Sequence, residues 1–328
     1  MSIKHQILEI FEENRGSYIS GGSLAKKLNV SRNAVWKVVK ALQDEGYEIN
    51  AVTNKGYCLS PETDILSSQS IAKYLNDSNR NLDLRVYKTI SSTNSVLKEM
   101  ADKDAPEGTV LVSEEQTAGR GRMGRSFFSP AGTGIYMSIL LRPELTASDS
   151  LYLTTSAAVA VAQAIETIAD VNARIKWVND IFCNGKKVCG ILTEASFNLE
   201  NNGLSYAVVG IGINVKEPEG GFPDDVKNIA TAIFSNSDGH DTPDARSRLI
   251  AEILNRFMSF YRNIKAKTFL KEYRNRSMLM GRQIDVLDGK SVRTALALDI
   301  DDDCRLKVKF EDDTVKYLSS GEVSIKVI

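Results

Sequence analysis

From residue 117 to 126 the chain reads Thr-Ala-Gly-Arg-Gly-Arg-Met-Gly-Arg-Ser, with three glycines alternating with three arginines. Glycine lets a backbone come close to a ligand and lets a loop reorder. The guanidinium fork matches the paired oxygens of phosphate and carboxylate. The pattern predicts a loop that closes on an anion. It is not a Walker loop, because G-x-x-x-x-G-K-[ST] is absent, and it is not a dinucleotide fingerprint. An RNA-binding RGG tail is the competing reading, and the apolar strands on either side argue against it.

Three further places carry polar chemistry on an apolar background. Lys176-Trp-Val-Asn-Asp180 puts an Asn-Asp pair at the end of a strand, where ligand-orienting groups commonly sit. Lys187 stands at the edge of the apolar strand that holds Gly190 and ends at Glu194. On pattern alone such a lysine is ordinarily solvated. Gly210-Ile-Gly-Ile-Asn214 places glycines inside an apolar strand, which implies close approach by a ligand or by another element. Together the four describe a pocket with several glycines, several arginines and one lysine.

The elements that must hold this pocket alternate between strand and helix without a strict repeat. LRVYKTI, GTVLVSEEQ, GIYMSILLRP, RIKWVNDIF, KVCGILTEA and YAVVGIGINV read as strands, with turns at Asn184-Gly185 and Asn201-Asn202-Gly203. Helices are predicted from Ser92, over 151–169, over 245–264 and over 266–276. The fold class is therefore α+β, with a mixed or largely antiparallel sheet.

The N-terminus is different. From Asn14 to Gln43 there is no acidic residue, while Arg15, Lys26, Lys27, Arg32, Lys37 and Lys40 are basic. Ile3, Ile7, Ile10 and Phe11 form one face of a first helix. A second helix covers Ser23–Leu28, Asn29 suits a left-handed turn residue, and Ser31 reads as the N-cap of a third helix with Val35, Val38, Val39 and Leu42 inward. YEINAV and GYCLS add a hairpin wing. This is a winged helix-turn-helix pattern, whose third helix would enter a major groove. Arg32 and Asn33 suit base edges, Ser31 and Lys37 lie beside them, and Lys26, Lys27 and Lys40 suit phosphates. Trp36 is expected in the core. A small helical bundle with a solvated basic face is the plainer alternative.

Composition excludes some classes. The 328 residues carry 41 Lys plus Arg against 42 Asp plus Glu, so any nucleic-acid contact must be local. Only His5 and His240 are histidines, which weakens a His-based metal site or triad. Cys58, Cys183, Cys189 and Cys304 form no C-x-x-C pair and read as reduced cytoplasmic thiols. No leader pattern and no apolar run of membrane-spanning length is evident, so no membrane partner is expected.

Ser92-Thr-Asn94, Gln116, GRGRMGR at 119–125, KWVND at 176–180, KKVCGILTE at 186–194 and GIGIN at 210–214 occur in the order of the biotin–protein ligases. With the winged head, the whole chain resembles the bifunctional biotin ligase and biotin-operon repressor family. The residues themselves divide off the winged helix-turn-helix at 1–62 and a polar linker at 63–81 with a short helix at Ser67–Asn76; the resemblance implies a catalytic domain similar to class II aminoacyl-tRNA synthetases at 82–276 and an SH3-like small β-barrel at 277–328. It implies that biotin and ATP, with Mg2+, give biotinyl-5′-AMP and pyrophosphate, and that a lysine of a biotin carboxyl carrier protein then takes the biotinyl group. Biotin is thereby both substrate and corepressor precursor. Operator DNA and a homodimer formed with the adenylate are implied as partners, with an apolar strand edge near 190–195 as the expected interface.

Carried over by position, the resemblance assigns biotin to Ser92, Thr93, Asn94, Gln116, Arg120, Gly121, Arg122, Lys187, Gly190 and Gly212. It assigns ATP to Arg122, Arg125, Asn179, Lys187 and Ile229. Catalysis falls to Arg120, Arg122 and Lys187, with Asp180 aligning the incoming amine. No protein side chain is assigned to the metal, which comes with ATP. Two departures stand out. Where many relatives have Trp after the loop, this chain has Phe127, and the Pro of KW-P-ND is Val178. A biotin-sensing transcription factor without ligase activity, or a lipoate-type acyl-protein ligase, are the rival readings.

Overall fold

The computed structural model describes residues 2–198, 203–234, 243–288, 291–319 and 322–325. The expected Asn201-Asn202 turn and His240 lie outside them.

The head comprises helices α1 (Ile3–Glu13), α2 (Gly21–Leu28) and α3 (Arg32–Asp44), and an antiparallel hairpin of β1 (Ile49–Val52) and β2 (Gly56–Leu59). Each helix begins where a serine hydroxyl accepts a backbone N–H: Ser2 for α1, Ser20 for α2 and Ser31 for α3. Helix α2 thus starts two residues earlier than its apolar pattern indicates. Asn29 takes the left-handed conformation that ends it. Ile7, Phe11, Leu24, Val35, Val39 and Leu42 close the small core. Trp36 is not among them; it is 53% exposed. It follows Val35 by one residue, a turn of about 100° that carries it off the Val35–Val39–Leu42 stripe and onto the face of Arg32 and Lys40.

The central body is a seven-stranded mixed sheet. Its strands are β3 (Asp83–Ile90), β4 (Thr109–Gln116), β5 (Gly134–Leu141), β6 (Ala173–Lys176), β7 (Asp180–Cys183), β8 (Lys186–Asn198) and β9 (Gly203–Asn214), in the order β3-β4-β5-β9-β8-β7-β6. Only β3 and β4 run parallel. One expected strand, RIKWVNDIF, is two: β6 and β7 fold back on each other around Trp177-Val178-Asn179. Between β3 and β4 lies α5 (Thr93–Ala101), capped by Ser92. Helices α6 (Leu151–Ala169), α7 (Ala245–Tyr261) and α8 (Leu270–Arg276) complete the body. The span expected as one helix over 266–276 is a single turn at Ile264–Ala266 followed by α8.

Contrary to the sequence reading, one segment, Ser148–Ala169, is long and apolar enough to cross a bilayer by length and composition. It is 72% buried inside the fold, and a helix covered on most sides is apolar all round for that reason.

The stretch 63–81, expected as a linker, is packed. Ser67 caps the short helix α4 (Ser68–Ala72), and Leu66, Ile71 and Leu75 enter the main core. The polar residues that suggested solvent are bonded to α7 instead. Ser70 and Ser247 hydroxyls lie 2.8 Å apart, and Asn255 Oδ1 accepts from Asn76 N and Asn79 Nδ2, both at 3.0 Å. Arg246, 2% exposed, pairs with Asp64 and with Glu114 of β4.

The C-terminal unit is a five-stranded antiparallel sheet: β10 (Gln283–Asp288), β11 (Ser291–Ile300), β12 (Leu306–Phe310), β13 (Val315–Leu318) and β14 (Glu322–Ile325), in the order β13-β12-β11-β10-β14. Its buried face, including Ile284, Val286, Ala297 and Val308, is continuous with the core of the central body.

Head and body meet through a buried carboxylate. Glu12 accepts from Arg15 Nε at 2.7 Å and from Lys73 Nζ at 3.0 Å, with its side chain 1% exposed. Arg15 also donates to Thr63 O at 2.8 Å. Removing one member of a buried ion cluster strands the others. Glu12→Ala is expected to cost about 3 kcal/mol, seen as a lower urea midpoint for the full chain, and Glu12→Gln is expected to cost less.

Candidate functional site

The site lies where α5 abuts β5, β9 and β8. Register places Gly190 opposite Gly212, and Gly212 opposite Tyr136; one pleat along, Leu192 faces Gly210 and Gly210 faces Ser138. With no side chains at 190, 210 and 212, a slot opens across the sheet. A Cβ at Gly212 would stand 2.7 Å from the Phe127 ring, and one at Gly210 would overlap Asn94 Oδ1. The Phe127 ring lies in this slot, edge-on to Tyr136 at 6.3 Å. A cavity of about 30 Å³ beside it is lined by Ser92, Thr93, Asn94, Gln116, Arg120 and Leu192, among others.

The polar end of the slot is a tied network at the N-terminus of α5. Gln116 Oε1 accepts from Thr93 N at 2.9 Å, and Gln116 Nε2 donates to Ser129 Oγ at 3.0 Å. Ser138 donates to Asn94 Oδ1 at 2.6 Å and lies 2.7 Å from Thr93 Oγ1. Asn94 Nδ2 donates to Leu192 O and to Glu194 Oε2. Ser92 spends its hydroxyl on capping α5 and is 3% exposed. Ser138 and Glu194 belong to this end, although no motif singled out the serine and no role was read for the glutamate. The signal for Ser138 was a polar residue at an otherwise apolar position of β5.

The charged end is built on the β6–β7 turn and the start of β8. Lys187 Nζ lies 2.7 Å from Asp180 Oδ1, with both side chains partly exposed. Arg122 Nη1 donates to Asn179 Oδ1 at 3.0 Å, and Asn179 Nδ2 donates to Ile191 O at 2.8 Å. Arg120 reaches Glu194 at 3.4 Å. The loop carrying both arginines is pinned at its base by an Arg120–Ser126 bridge, with Gly121 N donating to Arg125 O at 2.7 Å. Lys187 N donates to Ile229 O, and Thr231 N to Lys187 O, so the 229–231 segment runs alongside the lysine. Ile229 is 57% exposed. The structure thus brings Arg120, Lys187, Gly190 and Gly212 to the slot and links Arg122, Asn179 and Asp180 beside Lys187; Gly121 is held within the loop, Ile229 is exposed on the neighbouring segment and Arg125 lies at the loop's exposed side.

The turn is braced from behind. Trp177 Nε1 donates to Cys304 O at 3.0 Å, and Tyr273 OH donates to Val178 O at 3.0 Å. Burial pushes the Tyr273 hydroxyl well up and the Cys183 thiol up to about 12, so these groups stay protonated and support the site without reacting. All four cysteines are free and buried. Among the described residues no three His, Cys, Asp or Glu side chains converge as a metal site.

In the head, Lys26, Lys27, Ser31, Arg32, Asn33, Lys37 and Lys40 are all exposed. Ser31's hydroxyl serves the cap of α3. The exposed Trp36 joins this face.

Known proteins share this organisation. A model described as the Biotin/lipoate A/B protein ligase family matches residues 86–214, an HTH domain model matches 4–58, and a biotin protein ligase C terminal domain model matches 279–326. A bifunctional ligase/repressor BirA of Bacillus spizizenii is 40% identical over 268 residues, spanning 82% of this chain and 81% of that one. The Bacillus subtilis protein of the same description matches to the same extent. The structure of a biotin protein ligase from Aquifex aeolicus in complex with biotin and ATP superposes with a TM-score of 0.61 at 29% identity, covering 74% of this chain and 98% of the other. Slot, arginine loop, head and C-terminal sheet together place this chain in the BirA family of bifunctional ligase/repressors.

Proposed function

We propose that the chain joins biotin to ATP, forming biotinyl-5′-AMP and pyrophosphate, and then passes the biotinyl group to a lysine of a biotin carboxyl carrier protein. The observation that carries this reading is the glycine-floored slot with a tied hydrogen-bond network at one end and Lys187, Arg122, Asn179 and Asp180 at the other. The ring system of biotin enters at the Ser92–Asn94 and Gln116 end. Its carboxylate then points to Lys187.

The first step brings two anions together, because a carboxylate attacks the α-phosphorus. Lys187, Arg120 and Arg122 lower that repulsion and stabilise charge developing on the phosphoryl oxygens. Lys187 stands against Asp180 in the present structure, so an arriving carboxylate exchanges one anionic partner for another. No histidine base is required, since the carboxylate is ionised at neutral pH. A magnesium ion held by the nucleotide's own phosphates would add further positive charge there. Ile229, exposed beside Lys187, offers apolar contact to adenine, and Arg125 stands near the phosphates. In the second step the amine must be neutral, and Asp180 aligns it or accepts its proton. The loop of Gly119–Arg125 covers the adenylate against water.

The head adds a repressor's task. Beyond Ile191, whose N–H and C=O are both held by Asn179, β8 has among the described residues no further strand partner on its outer side, and this edge is where a second copy would pair. Adenylate binding that favours such a dimer would set two α3 helices on a two-fold axis for an inverted-repeat operator.

Lys187→Ala and Arg122→Ala are each expected to lower biotin-dependent ATP–pyrophosphate exchange by roughly 10²- to 10³-fold. Unchanged exchange in both removes the anion clamp; exchange supported by lipoate and not by biotin makes the protein a different acyl ligase, and no exchange leaves a sensor. On operator DNA, Arg32→Ala should lose about 1–3 kcal/mol in a sequence-dependent way. Lys40→Ala should weaken all sequences alike and reduce the salt slope by about one. Sedimentation should shift from monomer to dimer on adding biotin plus ATP, and further with operator DNA; an unshifted boundary in both would rule out ligand-driven pairing.

A further inference from the structure

Glu194 lies on β8 four residues past Gly190, with its side chain 16% exposed. Nothing in the two chemical steps uses it, yet three groups of the site converge on it. Its Oε2 accepts from Asn94 Nδ2 at 3.0 Å, and its Oε1 accepts from Lys98 Nζ at 2.8 Å and from Arg120 Nη1 at 3.4 Å. Burial works to raise its pKa, but the hydrogen bonds from Lys98 and Asn94 and the charges of Lys98 and Arg120 outweigh it and hold the carboxyl below its usual range. The group is therefore an anion at any pH where the enzyme works.

The consequence falls on Asn94. Its amide nitrogen has two protons, and both are committed: one to Leu192 O at 3.2 Å, the other to Glu194. Its Oδ1 accepts from Ser138 and projects into the space that Gly210 leaves by lacking a Cβ. Only a lone pair of Oδ1 remains to be offered to a ligand.

We propose that Glu194 is a positioning residue that fixes the Asn94 amide, so that this end of the slot presents an oxygen acceptor to an N–H donor on the ligand's ring system. The choice between donor and acceptor at that point is made by Glu194 rather than by Asn94, which has both. A buried polar group aimed the wrong way discriminates strongly, because an unmatched ligand leaves it unpaired. The contact from Arg120 is the longest of the three, so the loop arginine leans on this carboxylate least. This inference rests on the ligase reading above.

The test measures biotin-dependent ATP–pyrophosphate exchange in the full chain with Glu194→Gln, Glu194→Ala, Asn94→Ala and the Asn94→Ala/Glu194→Ala pair. Glu194→Ala is expected to raise the KM for biotin by on the order of tenfold. The kcat at saturating biotin and the KM for ATP should stay within about twofold of the parent. Glu194→Gln keeps the size and an acceptor for Asn94 and should raise the biotin KM by only about threefold. If Glu194 acts through Asn94, adding Glu194→Ala to Asn94→Ala should cost less than about twofold more. An unchanged biotin KM in Glu194→Ala overturns the proposal. So do fully additive effects in the pair, or an equal loss of kcat and of ATP affinity in both the Gln and Ala variants, which would mark a merely structural role. If the unsubstituted chain shows no biotin-dependent exchange, it is the ligase reading that fails.

Discussion

Gly190 and Gly212 face each other across β8 and β9, and the site exists because neither has a side chain. The pleat sends residues alternately to opposite faces, so a slip of one residue between these strands would bring Ile or Cys side chains to the face that is now hollow. Everything else in the pocket is arranged around that gap. Asn94 fits against Gly210, the Lys187 stem passes within 3.4 Å of a Cβ position at Gly190, and Phe127 lays its ring over Gly212. The charged groups are thus placed by the removal of bulk as much as by their own contacts.

Each cation of the site already has a polar partner, a carboxylate for two of them and a neutral amide for the third. Lys187 stands on Asp180, Arg122 on Asn179, and Arg120 on Glu194. A cation that already has a partner is not costly to keep half-buried, and it can change partners when a stronger anion arrives. This arrangement also accounts for how little imidazole the chain contains. Adenylation of an ionised carboxylate calls for positive charge at fixed places and not for a proton acceptor, which fits a chain with only two histidines.

Much of this could be read from residue order. The glycine–arginine loop, Lys187 and the paired glycines stood out because polar or small residues interrupted apolar strands, and each lies at the slot. Caps at Ser31 and Ser92 and the left-handed Asn29 were legible for the same reason: a local hydrogen bond or backbone angle is decided within a few residues. What was not legible depended on distant partners. Trp36 looked like core because the sequence shows hydrophobicity but not which side of a helix a neighbouring stripe leaves open. The Lys176–Asp180 run looked like one strand because its reversal is held by Cys304 and Tyr273, more than 90 residues away. The short helix inside 63–81 was legible, but the stretch as a whole read as a tether because its serines and asparagines find their partners on α7, far along the chain.

That last stretch fixes where the molecule can be divided. Arg246 is buried, and two carboxylates balance it: Glu114 from the sheet and Asp64 from the strap. Lys216 also leans on Asp64, at 2.9 Å. Discarding the winged head together with the whole stretch to residue 81 would leave a guanidinium in the interior with half its countercharge and would strip from the main core the side chains of Leu66, Ile71 and Leu75. A break before Asp64 would keep Asp64 on Arg246 and the packing of Leu66, Ile71 and Leu75, but would remove Glu12 from Lys73 and the head's core from Ile65. The stretch from Asp64 is thus packed as part of the central body, although it precedes the first strand of the seven-stranded sheet.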